Sequence, residues 1–519
     1  MATYFVSADT IQAATFATLG ASDWFVSAAG TTLLVTDESA LWATEGARLT
    51  INGSVLGGGT YVIEGPIDLS IDPVTISIGR DGLVEGGEAI TISGGRFWSI
   101  SNAGVISGTS AIALQGDSAV VNTGEIRGLT TSASGSLVMD LGHDSSLINH
   151  GLINGAFGVS LDVGGYVVNT GTITSERGWG LLVAVGTVVN SGLIHSFEGI
   201  GVALQVGGNR LENSGTIGGG LAAVYGDGDA ESILNTGTLA GPVLLLGGDD
   251  YVDGRLGIQI GLVDGGEGDD VLLLGSADEE AYGDYGYDTI RGGAGDDTIE
   301  GGPDPDELDG GAGRDLLDYC SCGGGVSVSL EDGLGGRGDA AGDTISGFED
   351  VSGTAYADSI VGDDGGNMLD GRGGHDEIEG GDGRDTLRGG AGRDTVTGGA
   401  GGDAMYGGWG DVFRYEELTD SAPRGAGRDR IVNFITPDRA LTYDTIDLSA
   451  LDADVGTDGD QDFTFVGAAA FSAAGQLRAD LLPNGNTLVQ AEVDGDGRAD
   501  FAIVLVRVQS ALTSDSFAL

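Results

Sequence analysis

A nine-residue beat runs from Gly265 to about Asp411 and leaves this chain few ways to fold. It reads Gly292-Gly-Ala-Gly-Asp-Asp-Thr-Ile-Glu300, then Gly301-Gly-Pro-Asp-Pro-Asp-Glu-Leu-Asp309, then Gly310-Gly-Ala-Gly-Arg-Asp-Leu-Leu-Asp318. After an interruption it returns at Gly371, Gly380, Gly389 and Gly398. The unit is G-G-x-G-x-D-x-U-x, with U apolar. Glycines permit positive φ, so six residues can turn tightly with carbonyls pointing inward. The sixth-position Asp adds a carboxylate, and hard oxygen ligands are what Ca²⁺ requires. The last three residues make a short strand whose U side chain fills a narrow interior. Two nonapeptides complete one coil, so positions i and i+18 stack. A stacked carboxylate row repels itself without metal, so folding and calcium binding are expected to be one event.

These repeats resemble those of RTX (repeats-in-toxin) proteins, which leave Gram-negative bacteria by type I secretion. The resemblance implies several bound Ca²⁺ ions. Carried over residue by residue, the sixth-position ligands are Asp270, Asp288, Asp297, Asp306 and Asp315 in one block. In the second block they are Asp358, Asp376, Asp385, Asp394 and Asp403. The accompanying turn positions are Gly292, Ala294, Gly301, Gly310 and Ala312. In the second block they are Gly371, Gly380, Asp382, Gly389, Ala391, Gly398 and Ala400. Glu279 and Asn367 replace the Asp, and Asp411 follows a one-residue deletion, so those half-sites are expected to be weak or empty. Pro303 and Pro305 intrude on one loop.

Charge and composition agree with an extracellular solenoid. Of 519 residues 100 are Gly, marking corners, and the net charge is −57 with Arg but no Lys among the bases. Phosphate binding needs a basic face, so nucleic acid is excluded as a partner. Cys320 and Cys322 are the only cysteines, too close for an easy disulfide. No segment reaches the ~18 apolar residues of a membrane span. The N-terminal residues lack a signal peptide's basic and apolar regions, so export is expected to use a C-terminal address.

A second repeat precedes the nonapeptides. The phrase Asn-x-Gly-x-[Ile/Leu] begins at Asn102, Asn122, Asn149, Asn169, Asn190, Asn213 and Asn235, at intervals of 20, 27, 20, 21, 23 and 22 residues. A period near 21 with two or three short strands per coil is that of a parallel β-helix. Coils stack at ~4.8 Å, so the recurrent Asn is expected to form a ladder at one corner. Aligning coils by this phrase places Gln115, Asp140, Asp162, Ala184 and Gln205 in one column. Asp140 and Asp162 then become neighbours on adjacent coils, with His143 close by as a base. The simpler reading of this column is an outward polar position on an alternating strand.

From about residue 411 the chain changes character. Asp411-Val-Phe-Arg-Tyr415, Asp444-Thr-Ile-Asp-Leu-Ser449, Asp494-Gly-Asp-Gly-Arg-Ala-Asp500 and the ending Asp515-Ser-Phe-Ala-Leu519 follow in order. This tail resembles the C-terminal domain of serralysin-type metalloproteases, which caps the β-roll and carries the type I secretion signal. The zinc motif of those proteases, H-E-x-x-H, is absent, and none of the four His residues sits in such a pattern.

The expected fold is all-β: an N-terminal parallel β-helix, then a calcium-binding parallel β-roll, then a β-rich C-terminal cap. The expected domains are 1–95 (β cap and first coils), 96–240 (β-helix), 241–410 (RTX roll with insert 319–352) and 411–519 (serralysin-like cap and secretion signal). The expected partners are calcium ions, the type I secretion machinery and a polysaccharide or cell surface. Three functions are compatible with the residues: a secreted, non-enzymatic adhesin or matrix protein, a polysaccharide-modifying enzyme, and a surface-layer protein. Sparse catalytic residues favour the first.

Overall fold

The computed structural model describes residues 74–92, 98–129, 137–437, 442–508 and 511–519, and mainly strand segments between residues 3 and 65. Among the described residues there is no α-helix, only two 3-10 turns at Gly338–Ala340 and Ser514–Ser516. The chain divides into two compact units, Met1–Glu280 and Ala281–Leu519.

In the first unit each coil carries three strands, as in Gly165–Asn169, Thr172–Ser175 and Trp179–Ala184. Successive coils pair in parallel and in register: Val167 with Val188, Ile173 with Ile194, Leu181 with Val202. One face consists of 12 parallel strands, from Thr10–Ala13 to Ile258–Ile260. Alternation sends one side chain in and the next out, so β-branched and Leu residues form interior columns. Ile100, Val120, Leu147, Val167, Val188, Leu211 and Ile233 make one such buried column. The side chains of most of residues 1–47, within the expected cap, lie outside the described residues.

The Asn phrase builds the expected ladder. Each Nδ2 donates to the next Oδ1 at 2.8 Å, from Asn102 through Asn122, Asn149, Asn169, Asn190 and Asn213 to Asn235. Every rung is buried. The Gly two residues later is forced by close approach: a Cβ on Gly171 would lie 2.2 Å from the Gly151 carbonyl oxygen. Asn169 also donates to the Leu193 carbonyl at 3.1 Å. Asn169→Ala therefore orphans buried groups on both neighbouring rungs. The expected loss is about 2–4 kcal/mol, from roughly 1–3 kcal/mol per unsatisfied buried group. Calcium-saturated urea denaturation checks this; an unchanged midpoint would mean the ladder is dispensable.

The second unit uses much shorter strands. Thr298–Glu300, Leu316–Asp318, Met368–Asp370, Thr386–Arg388 and Ala404–Tyr406 are three residues each, with one buried apolar side chain at the centre. These centres stack with the expected i+18 period: Ile299 on Leu317, Ile360 on Ile378, Leu369 on Leu387, Leu387 on Met405. The insert does not break the stack. Thr344–Ser346 pairs in parallel with Glu307–Asp309, and Asp350–Ser352 lies between Leu316–Asp318 and Met368–Asp370. Within the sheet, Ser327–Ser329 pairs in parallel with Ser359–Val361, and the antiparallel Leu334–Arg337 pairs with both Ser327–Ser329 and Thr344–Ser346. The columns continue into the tail, where Val396 stacks on Phe413, Phe413 on Ile446 and Ile446 on Phe517.

Candidate metal columns and a carboxylate groove

The sixth-position carboxylates are inside, not on a solvated face. Asp306, Asp315, Asp376, Asp385, Asp394 and Asp403 are all buried, as are Asp270, Asp288, Asp297 and Asp358. Each carboxylate holds the coil before it. The backbone N–H of Asp288 donates to Asp306 Oδ1, and that of Asp297 to Asp315 Oδ1, both at 2.8 Å. Asp358, Asp376 and Asp385 donate likewise to Asp376, Asp394 and Asp403 at 2.9–3.0 Å. The first-position glycine is fixed by the same side chain: a Cβ on Gly380 would fall 2.6 Å from Asp385 Oδ2 and 2.5 Å from the Gly398 carbonyl. Among the other turn positions, Ala294 pairs with Ala312, and the Ala312 and Ala400 carbonyls accept N–H bonds from Gly295 and Gly383.

The remaining oxygen is the informative one. Oδ2 of Asp306, Asp315, Asp376, Asp385, Asp394 and Asp403 is buried and has no hydrogen-bond partner. A buried carboxylate oxygen in that state needs a proton or a cation. Burial pushes Asp306 up to about 8, reinforced by the charges of Asp343 and Asp288 and opposed by the Asp288 N–H. Burial likewise raises Asp376 and Asp385 to about 7 and Asp403 to about 6. Hard, unpartnered oxygens at a tight glycine turn fit Ca²⁺.

The departures resolve individually. Asp411 keeps its place despite the deletion, accepting the Asp394 N–H at 3.0 Å, while its other oxygen takes Gly408 N–H. Asn367 stays in the column, donating its N–H to Asp385 Oδ1 at 2.9 Å. Asp358 is already satisfied: Thr354 donates to both its oxygens and Val326 N–H to one. The nonapeptide frame misses three column members. Asp343 accepts the Asp306 N–H, Asp429 that of Asp403, and Asp444 that of Asp411. None has the full glycine pattern, although Arg424-Gly-Ala-Gly-Arg-Asp429 keeps Gly425 and Gly427, but all share the phrase Asp-x-Ile, in Asp343-Thr-Ile345, Asp429-Arg-Ile431 and Asp444-Thr-Ile446. That phrase is the signal that finds them. In the first unit Asp250 extends the pattern, donating its N–H to Asp270 Oδ1 at 2.7 Å.

A second constellation lies on the β-helix. Asp140, His143 and Asp162 line one groove of about 550 Å³ with Gln115, Ser160 and Ala184. The register corrects the expected column: Asp140 pairs with Ala113 and Ser160, whereas the Asp162 N–H donates to the Leu141 carbonyl at 2.9 Å. Burial decides it, because Met139 and Leu141 must stack on Val159 and Leu161 in the core. The two carboxylates are thus offset along one outward face. His143 Nε2 lies 3.2 Å from Asp162 Oδ2. Partial desolvation by the groove, then the charge of Asp162, raises the Asp140 carboxyl above its ordinary range. The groove thus gathers a carboxyl and a His–carboxylate pair, groups able to give and take protons.

Residues 282–317, 343–378 and 379–413 match the RTX calcium-binding nonapeptide repeat family, whose unit comprises four copies of the repeat. The second match begins at Asp343, inside the insert. These repeats bind calcium, and the chain carries several of them. No curated protein sequence matches the chain. Among solved structures, the AlgE6R2 subunit of the Azotobacter vinelandii mannuronan C5-epimerase is 25% identical, over 31% of this chain and 90% of that one, at a TM-score of 0.19. The AlgE6R3 subunit of the same epimerase is 26% identical, over 31% of this chain and 77% of that one, at a TM-score of 0.15.

Proposed function

We propose that this chain is exported unfolded by a type I system and folds outside the cell on calcium, serving there as an adhesin or as surface or matrix material. The observation that carries this reading is the row of buried, unpartnered Asp oxygens at Asp306, Asp315, Asp376, Asp385, Asp394 and Asp403. Such a row is unstable in calcium-poor cytosol and stable at extracellular calcium, where sites with Kd of about 10⁻⁴ to 10⁻³ M fill. The serralysin-like phrases from Asp411 onward supply the export address. In a Gram-negative host carrying a type I exporter, the full chain is expected in the medium, and a variant lacking residues 411–519 is expected to stay inside. Equal amounts of both in the medium would overturn the export reading.

A second reading rests on the groove of Asp140, His143 and Asp162. Its acid and base would suit polysaccharide modification, with the long solenoid face as a binding track. Proton NMR of bacterial and algal polysaccharides incubated with the calcium-loaded protein distinguishes the two. New anomeric signals that vanish in Asp140→Asn with Asp162→Asn, the fold being intact, support the enzyme. Line broadening without new signals supports the adhesin.

A further inference from the structure

The C-terminal unit holds a carboxylate cluster outside the nonapeptide columns. Thr487–Glu492 and Phe501–Val506 form an antiparallel pair joined by a loop whose carboxylates are Asp494, Asp496 and Asp500. Ligand oxygens of Glu492, Asp494 and Asp500 all lie within 4.8 Å of one another. Acids gather on many loops of so acidic a chain, and proximity alone would mean little. Glu492 differs, being fully buried at 0% exposure. Its Oε1 accepts the Gly497 N–H at 3.2 Å, while its Oε2 is buried with no hydrogen-bond partner. The neighbouring Arg498 pairs with Asp496, 3.9 Å away, and forms no ion pair with Glu492. A buried carboxylate oxygen left this way is costly unless a cation meets it.

We propose that Glu492, Asp494 and Asp500 bind one Ca²⁺ ion at a site separate from the repeats. The donors are all hard oxygens, and their spacing fits the span of about 4.6–5.2 Å across an ion with Ca–O distances of about 2.3–2.6 Å. Loop carbonyls and water complete the shell. Ca²⁺ tolerates so irregular a donor set, whereas Mg²⁺ demands a near-ideal octahedron and keeps its waters. One oxygen of Asp500 already accepts the Val493 N–H at 2.8 Å, which holds the loop's two ends together before the ion arrives.

The site's position gives it a task. Phe501–Val506 also runs parallel to Arg430–Val432, which pairs with Ala404–Tyr406 of the last nonapeptide. Leu505 thereby stacks on Ile431, and Ile431 on Met405. An ion that fixes the loop before Phe501 fixes the strand that covers this end of the apolar column. The site is a calcium clamp on the cap of the roll.

Native mass spectrometry of the full chain counts bound ions as integers. At saturating calcium, Asp494→Ala and Glu492→Gln are each expected to carry one ion fewer than the parent, with unchanged far-UV circular dichroism. Hydrogen exchange at residues 493–501 should lose its calcium dependence in both, while the repeats keep theirs. Should Glu492→Gln fail to fold, Asp494→Ala decides, because Asp494 is exposed. An unchanged ion count in folded Asp494→Ala overturns the proposal.

Discussion

Chelating calcium at pH 8 is expected to unfold Ala281–Leu519 while the coils carrying the Asn ladder stay folded. The difference lies in what each strand buries. A strand such as Gly165–Asn169 sends Val167 and Asn169 inward and pairs on both sides, so that unit has an apolar core and a satisfied polar ladder of its own. A nonapeptide strand such as Thr386–Arg388 buries only Leu387, and the turn before it buries the Asp385 carboxylate. One buried apolar side chain does not offset the conformational entropy of ordering the nine residues of its repeat. Calcium supplies the difference. An ion with Kd of about 10⁻⁴ M stabilises by roughly 2.7 kcal/mol at 10 mM calcium, and several ions act together. Far-UV circular dichroism should therefore lose part of its β signal in EGTA and regain it in millimolar calcium. Hydrogen exchange should assign the loss to residues beyond 281, and a loss spread evenly over both units would refute this division.

The pH response of the metal-free protein is expected to run opposite to that of the calcium-loaded one. The relevant folded-state values are raised: about 8 for Asp306, about 7 for Asp376 and Asp385, about 6 for Asp403, and about 8 for Asp429. In the unfolded chain these groups titrate near 3.8. A carboxyl whose folded value is raised favours folding where it is protonated, fully below the unfolded value. That stability is lost as pH rises through the folded value. In EGTA the C-terminal unit should thus be more ordered at pH 5 than at pH 8, with the transition between about 6 and 8. With calcium the sign reverses, because protons and ions compete for the same oxygens. Apparent calcium affinity should then fall as pH drops below about 7. A metal-free transition that strengthens with rising pH would contradict the assignment of Asp306, Asp376 and Asp385 as desolvated.

Local periodicity made most of the fold readable. The Asn ladder, the i+18 stacking of Ile299 on Leu317, and the all-β character follow from repeats because a solenoid places neighbours at a fixed chain separation. Legibility failed where that separation varied. Between Asn122 and Asn149 the step is 27 residues, and the phrase alone could not say where the extra residues fall. They fall before Leu137–Leu141. The expected Asp140–Asp162 pairing fails for another reason: it needs a step of 22 residues where these coils step by 20, so Leu141 aligns with Leu161 and Asp140 with Ser160. Asp343, Asp429 and Asp444 escaped the nonapeptide pattern for a related reason. The steps to them are 37, 26 and 33 residues, and their turns carry the glycine signature incompletely or not at all while keeping the inward Asp and the apolar residue two later.

The most direct test of the central claim is a calcium titration of the full chain that follows ion uptake and amide hydrogen exchange together. If folding and binding are one event, protection at the N–H groups of Asp306, Asp376, Asp385 and Asp403, each donated to a carboxylate one coil on, appears at the calcium concentration where ions are taken up. Protection of these amides in EGTA at pH 8, before any ion binds, would show that the roll folds without calcium.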